Sequence, residues 1–165
     1  MAYLRFVRVA WLLALVAVQT PLYASAPEKW TGPTKGPVAQ TGKSVVYIAS
    51  DLKNGSAVTV YRGMQEAART LGWSIALLDG GGSRELQSAA LAQAIATNPD
   101  GIVFGGFDTS PFAHQVATSE QKKIVLVGWH AAKDPGPTKA LFVNVATDPL
   151  DVAQAAANFV IQDAM

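Results

Sequence analysis

The chain contains no cysteine. This absence excludes disulfide bonds, thiolate metal sites and cysteine nucleophiles, and it is compatible with any cellular compartment. Histidine is also scarce: only His114 and His130 occur, and they are not spaced as metal ligands on one helix. No Gly-x-Ser-x-Gly turn presents a nucleophilic serine. We therefore expect a protein that is not an enzyme and that uses no cofactor and no metal.

Charge is limited too, since 15% of the residues are charged and the formal net charge is +1. Removing residues 1–26 takes away Arg5 and Arg8 and leaves the remainder close to neutral. Without a basic patch, nucleic acid is not an expected partner. Half of the residues are hydrophobic, which is enough for a packed core. A length of 165 residues suggests one domain with an appendage.

The apolar run at 9–18 covers ten residues, which is short of the about 20 that a membrane-spanning helix needs. Two arginines precede this run and small residues follow it at 24–26, which is the order of a secretory signal peptide. We predict a signal peptide over 1–26, cleaved after Ala24 or Ala26, with a short uncleaved anchor as the alternative. The protein is therefore expected in the periplasm of a bacterium.

From residue 43 onward, apolar segments of strand length alternate with segments of helix length. The predicted strands are 44–50, 73–78, 101–104, 123–127 and 139–146, and the predicted helices are 57–71, 84–97, 111–119 and 149–165. This alternation indicates βαβ units and a parallel sheet. The runs 45–48 and 124–127 are continuously apolar, which is typical of strands covered by helices on both faces. We predict an α/β fold, a parallel sheet flanked by helices, preceded by a proline- and glycine-rich linker at 27–42.

The last predicted helix has a strong start signal, because Asp148 can act as its N-cap and Pro149 occupies its first position. Val152, Phe159 and Val160 belong to an apolar stripe along this helix. No predicted strand follows that the stripe could cover. Self-association through the exposed helix is therefore a reasonable expectation.

Ligands of open parallel sheets bind beyond the carboxyl ends of the strands. The candidate binding residues in these loops are Asp51, Asn54, Asp108, Trp129 and His130. The tryptophan ring could stack on a ligand, and the imidazole could donate or accept a hydrogen bond. Structural roles are the alternative: Asp108 could cap the next helix, Trp129 could fill a gap in the core, and His130 could cap a loop.

Four motifs stand in an order that is similar to one protein family. They are Val-Val-Tyr-Ile-Ala-Ser-Asp at 45–51, Asn-Pro-Asp-Gly-Ile-Val-Phe-Gly at 98–105, Lys-Ile-Val-Leu-Val-Gly-Trp at 123–129 and Val-Ala-Thr-Asp-Pro at 145–149. With the predicted signal peptide, this order resembles the type I periplasmic solute-binding proteins of ABC importers, the group that includes ribose-binding protein and LacI-like domains. The resemblance extends over about residues 43–165.

The resemblance implies an incomplete substrate-binding component of an ABC importer, which binds a sugar or similar small polar solute and works with a membrane permease. It implies that 43–148 is the N-terminal lobe and that 149–165 is the first helix of a missing second lobe, so that the fold is truncated before most of that lobe. Asp148 matches the family's aspartate at the crossing between lobes and joins the candidate ligand-binding residues. Asp51 and Asn54 match the family by location only.

Two departures from the family concern the ligand. The loop at 51–56 lacks the aromatic residues that sugar binders of this family often carry, and Gly128-Trp129-His130 stands where they often have Asp-Arg. Another sugar or another small polar molecule is therefore compatible with the resemblance. Two other functions stay open, namely a secreted α/β sensor or interaction module that presents its last helix to a partner, and a small hydrolase-like enzyme.

Overall fold

The computed structural model describes residues 38–163. The predicted signal peptide at 1–26 and most of the predicted linker at 27–42 lie outside the described residues. The elements are β1 (Ser44–Ala49), α1 (Gly55–Leu71), β2 (Ser74–Asp79), α2 (Arg84–Ala96), β3 (Gly101–Gly105), a 3₁₀ turn (Ser110–Phe112), α3 (Ala113–Gln121), β4 (Val125–Trp129), β5 (Val143–Val145) and α4 (Pro149–Asp163).

The five strands form one sheet in the order β2-β1-β3-β4-β5, and every neighbouring pair is parallel. The register places Val46 beside both Ala76 and Ile102. This arrangement confirms the predicted α/β fold with a parallel sheet flanked by helices. The order reverses beside β1, because β2 lies on one side of it and β3 on the other.

Alternate residues along the strands form two separate cores. On one face, Ile48, Ile102, Phe104 and Leu126 pack with apolar residues of α2, such as Leu91, in one cluster. On the other face, a smaller cluster contains Tyr47, Ala49, Ala57 and Val103, and α1 lies over it. Continuous apolar runs in the sequence thus arise because each strand contributes to both cores.

Local capping signals explain where the helices begin and end. The Asn54 side chain accepts a hydrogen bond from Ser56 N at 3.0 Å at the start of α1, and Ser83 accepts from Leu86 N at 3.2 Å at the start of α2. Helix α1 ends at Leu71 and is followed by Gly72, whose φ of 68° suits glycine. At the last helix, Leu150 N donates to Asp148 Oδ1 at 2.8 Å, which confirms the predicted start signal there.

Three strands match the prediction to within one residue at each end, and two strands differ from it by more. Strand β4 is Val125–Trp129 rather than 123–127, because Lys123 has a φ of 60° that is incompatible with an extended strand. Strand β5 has only three residues rather than the predicted eight. The reason is a turn in the preceding segment, in which the Thr138 hydroxyl accepts hydrogen bonds from Ala140 N and Leu141 N.

The helix predicted at 111–119 also differs, since the 3₁₀ turn Ser110–Phe112 precedes an α-helix that ends at Gln121. Helix α4 has no buried residue along its whole length. Among the residues that the structure describes, no helix is long and apolar enough to cross a membrane.

Candidate functional site

The carboxyl ends of the strands lie side by side and are joined by backbone hydrogen bonds. Ser50 N donates to Gly105 O at 2.8 Å, and Gly106 N donates to Trp129 O at 2.8 Å. His130 N donates to Val145 O at 3.1 Å. These contacts place the residues after β1, β3, β4 and β5 along one continuous edge.

An open recess of about 610 Å³ lies at this edge. It is lined by Asn54, Gly55, Ser56, Thr59, Val60 and Trp129. The first turn of α1 therefore forms one side of the recess and the end of β4 forms the other. All of these residues are uncharged, so the recess offers an aromatic ring and neutral hydrogen-bonding groups.

Trp129 is the last residue of β4 and not a loop residue. Its half-buried indole packs against the core under α1 and also reaches the recess. The Trp129 side chain therefore both fills a gap in the core and lines the recess. The His130 ring lies edge-on to the indole, with centroids 5.3 Å apart and planes at 89°.

Gly106 lies between the Trp129 indole and Ser50, and neither Gly106 nor Ser50 is among the candidate residues predicted from the sequence. A Cβ added at Gly106 would lie 3.3 Å from Trp129 Cζ3 and 3.4 Å from Ser50 Oγ. The φ of 85° at Gly106 also disfavours any side chain there. Among the described residues, no hydrogen-bond partner is found for Ser50 Oγ. The available signal was its position, directly after the first strand of a parallel sheet.

His130 is exposed and has a φ of 48°. A positive φ is uncommon for a residue other than glycine, and such conformations persist where surrounding contacts hold them. Here the hydrogen bond from His130 N to Val145 O provides one of those contacts. The imidazole is consequently presented to solvent beside Trp129.

Three candidate aspartates build turns in this structure. Asp51 accepts a hydrogen bond from Lys53 N at 2.8 Å, Asp108 accepts from Ser110 N at 2.9 Å, and Asp148 accepts from Leu150 N at 2.8 Å. These are short-range contacts in which an aspartate side chain orders the backbone two residues ahead. The structural alternative for Asp108 therefore has a direct geometric basis.

Asp108 belongs to a different recess from Asn54 and Trp129. Its recess has a volume of about 730 Å³ and lies between α3 and the segment that follows β4, with Ala113, Val116 and Ala132 among its lining residues. The hydroxyl of Ser110 donates to the Asp108 carboxylate, and this hydrogen bond is the main reason that the pKa of Asp108 is lowered. The structure thus brings Asn54, Trp129 and His130 together and places Asp108 elsewhere.

Asn144 is a buried residue that sequence reasoning also missed. It is 1% exposed, and its Oδ1 accepts from Ala131 N at 2.9 Å. Its Nδ2 donates to Ala132 O at 3.1 Å and to Asp134 O at 2.9 Å. A single amide from β5 therefore holds the segment that directly follows Trp129 and His130. An asparagine within a short apolar strand was the only signal of this role.

A parallel α/β sheet with an aromatic ring and neutral polar groups at its carboxyl edge has the construction of a small-molecule-binding domain. The model of one family, described as periplasmic binding protein domain, matches residues 45–164. The chain belongs to this family, whose members are binding proteins.

Two solved structures are similar to this chain. An ABC transporter protein of the LacI family of transcriptional regulators from Brachyspira murdochii shares 22% identity and a TM-score of 0.62, over 74% of this chain and 39% of that chain. LsrB from Clostridium saccharobutylicum, solved in complex with AI-2, shares 15% identity and a TM-score of 0.50, over 57% of this chain and 28% of that chain.

These identities are low, so the likeness shows the fold. The chain spans less than two fifths of either neighbour, and its sheet and helices correspond to the first lobe of the predicted fold. A search of curated proteins finds no match.

Proposed function

We propose that this protein binds a sugar or a similar small polar solute at the carboxyl edge of its sheet, as the substrate-binding component of an ABC importer. The observation that carries the proposal is the recess in which Trp129 faces the first turn of α1. Membership in the periplasmic binding protein domain family supports the general role.

The chemistry of the edge favours an uncharged, hydroxyl-rich ligand. A half-buried indole offers an apolar face on which a ring can stack. The Oδ1 of Asn54 accepts from Ser56 N, which leaves the amide N–H groups of Asn54 for a ligand. The hydroxyls of Ser50 and Ser56 can donate or accept, and the Thr59 hydroxyl, which donates to Gly55 O at 2.9 Å, can accept. Because no charged side chain lines the recess, a fully ionised ligand would lose its hydration without gaining a partner.

In this proposal Asn54, Trp129 and His130 contact the ligand directly. Asp51 and Asp148 act from the ends of the same edge, with Asp148 at the exit from β5 and Asp51 beside the turn at Gly82. Asp108 is assigned to the rim on the α3 side. The recess is open and provides one wall, so high affinity requires a second wall that encloses the ligand.

The remaining parts of the proposal concern where the protein works. Residues 1–26 act as a signal peptide, 27–42 as a linker, and 43–148 as the ligand-binding lobe, with 149–165 beginning a second lobe. The protein then resides in the periplasm and delivers its solute to a membrane permease. Measuring the intact mass of the protein recovered from its host would test these boundaries, and a mass that retains residues 1–26 would contradict them.

Ligand binding is best tested with the protein recovered from the host periplasm, titrated with a panel of neutral pentoses and hexoses and with AI-2. We expect saturable binding of at least one compound, and a loss of at least tenfold in affinity for Trp129→Ala. Trp73→Ala is the matched control, because Trp73 lies at the other end of the sheet, and it should bind within about twofold of the unchanged protein. Equal affinity in the Trp129 variant would overturn the site assignment.

A further inference from the structure

The turn between β2 and α2 contains three consecutive glycines, Gly80–Gly82. A glycine-rich turn of this kind can bind a phosphate if its N–H groups are free to donate to it. Here the three N–H groups donate within the chain, in order to Ala49 O at 2.8 Å, Asp79 Oδ1 at 2.9 Å and Ser50 O at 2.8 Å. The turn is therefore joined to the end of β1, and its N–H groups are not available to an anion.

Asp79 joins this turn to a second loop. It is the last residue of β2, and the strand register places it beside Ala49, the last residue of β1. Its Oδ1 accepts a further hydrogen bond from Leu52 N at 3.0 Å. Leu52 lies 27 residues earlier in the chain, in the loop between β1 and α1. One carboxylate oxygen thus connects the loop after β1 with the glycine turn after β2.

The two loops lie too close together for larger residues at the glycine positions. A Cβ added at Gly80 would lie 2.5 Å from Ala49 O and 3.0 Å from Ser50 O. A Cβ added at Gly82 would lie 3.1 Å from Asp51 Oδ2. This close approach is what allows a single carboxylate to reach N–H groups in both loops.

The loop that Asp79 holds leads directly to the binding recess. Asn54 N donates to Asp51 O at 3.0 Å, and the Asn54 side chain then caps α1 through Ser56 N. Asn54 and Ser56 line the recess. Among the described residues, the other hydrogen bonds found for 51–53 stay within 51–54. The contact from Leu52 N to Asp79 is therefore the hydrogen bond that fixes this loop to the neighbouring strand.

We propose that Asp79 is a positioning residue for the recess, because its carboxylate fixes the loop 51–54 and thereby the first turn of α1. Asp79 does not itself line the recess, so its consequence for binding rests on the proposed function. Asp79→Ala leaves Leu52 N and Gly81 N without their partner, and ligand binding would then include the cost of ordering the loop. Because Asp79 is exposed, this change should affect the loop far more than the core.

Limited proteolysis of the full chain tests the role of Asp79 without a solute. Lys53 is an exposed trypsin site inside the held loop, and Lys133, an exposed site in the segment after β4, is the reference within the same molecule. In Asp79→Ala we expect cleavage after Lys53 to be about fivefold faster or more, because loop opening limits cleavage. Cleavage after Lys133 should stay within about twofold.

Two matched variants separate the hydrogen bonds from the charge. Asp79→Asn keeps an oxygen acceptor of the same shape and should restore the slow cleavage after Lys53. Glu85→Ala removes an exposed carboxylate from the first turn of α2 and should leave both cleavage rates unchanged.

Binding of the neutral pentoses, hexoses and AI-2 provides the second readout. For a compound whose affinity falls in Trp129→Ala, Asp79→Ala should bind about threefold to tenfold more weakly, because the loop must be ordered on binding. Asp79→Asn should bind within about twofold of the unchanged protein. Unchanged affinity of Asp79→Ala for that compound would overturn the positioning role.

The cleavage rates decide the proposal independently of the ligand. Equal acceleration after Lys53 and Lys133 would mean that Asp79 stabilises the whole domain and does not position the loop. Unchanged cleavage after Lys53, or cleavage in Asp79→Asn as fast as in Asp79→Ala, would also overturn the proposal. If the cleavage pattern is as expected but no compound binds, the proposed function fails and the fixing of the loop by Asp79 stands.

Discussion

The two faces of the sheet carry similar apolar side chains but differ in how far these are buried. On the α2 and α3 side, Ile48, Ile102 and Phe104 are fully buried, and the two helices close the core. On the α1 side, valines of β4 and β5 remain half-exposed, although the same strands supply them. Apolar character in a strand therefore predicts burial only if a helix is available to cover that face. The α2 and α3 side therefore contains the larger buried core, and the α1 side contains the smaller one.

The largest effect should follow from a substitution on the α2 and α3 side of the sheet. Phe104 is 0% exposed and packs edge-on to Phe107 at 5.3 Å. Phe104→Ala should lower the free energy of unfolding by about 3–5 kcal/mol, because it removes the buried ring and leaves a cavity. Urea unfolding followed by circular dichroism measures this loss. A change below about 1 kcal/mol would mean that the α2 and α3 side does not contain the stabilising core.

A smaller loss is expected at the buried amide between β5 and the segment after Trp129. Asn144→Ala removes the partner of Ala131 N, which is fully buried, and of two carbonyl groups. An unsatisfied buried polar group costs about 1–3 kcal/mol, so urea unfolding should show a loss in that range. Thr147→Ala, at an exposed position just beyond β5, is the control and should leave stability unchanged. Equal stability of both variants would contradict the inference that the Asn144 side chain stabilises the segment after Trp129.

The partly exposed valines of β4 on the α1 side should tolerate truncation far better than the residues buried under α2 and α3. In the monomer at low concentration, Val125→Ala should cost less than about 1 kcal/mol, because nearly half of this side chain already contacts water. The same urea experiment, run beside Phe104→Ala, measures the contrast between the two faces. A loss as large as that of Phe104→Ala would show that something covers Val125 in solution.

The smallest effect concerns pH at the amino end of the sheet. Hydrogen bonds from Ser44 N and from Lys43 lower the pKa of Asp100 to about 2. Because the folded-state pKa lies below the usual value of about 3.9, the ionised carboxylate stabilises the fold above about pH 4. This contribution should be lost as the pH falls from about 4 to about 2.

Thermal unfolding at a series of pH values tests this expectation for Asp100. Asp100→Asn should melt at a slightly lower temperature than the unchanged protein at pH 7 and should show a flatter dependence between pH 4 and pH 2. The control is Asp151→Asn on the exposed helix α4, which should follow the unchanged protein. Identical pH profiles for all three proteins would contradict a stabilising role for Asp100.

Much of the fold was predictable from local signals. The alternation of strands and helices and the cap at Asp148 depend on residues close in sequence, and the structure confirms them. Ser83 and Gly72 are local signals of the same kind, at the start of α2 and just after the end of α1. The bounds of β4 and β5 were predicted less well. They depend on a positive φ at Lys123 and on the Thr138 turn, neither of which leaves a clear pattern in an apolar sequence.

The residues of the candidate site were likewise predicted only in part. The rule that ligands bind at the carboxyl ends of parallel strands led to the candidates Asn54, Trp129 and His130, which the structure brings together. The same rule named Asp108, which lines another recess. It did not find Ser50, which borders Trp129 across Gly106 from a position about 80 residues earlier in the chain.

By itself, the sequence determined the class of fold and the order of its elements, because both follow from periodicity and capping over a few residues. Only the tertiary structure decided which side chains share the recess and that Asn144 holds the segment behind them. It alone revealed that, within residues 38–163, α1 covers only part of its face of the sheet. These features depend on strand register and helix placement between distant parts of the chain, and local sequence patterns do not encode such distances.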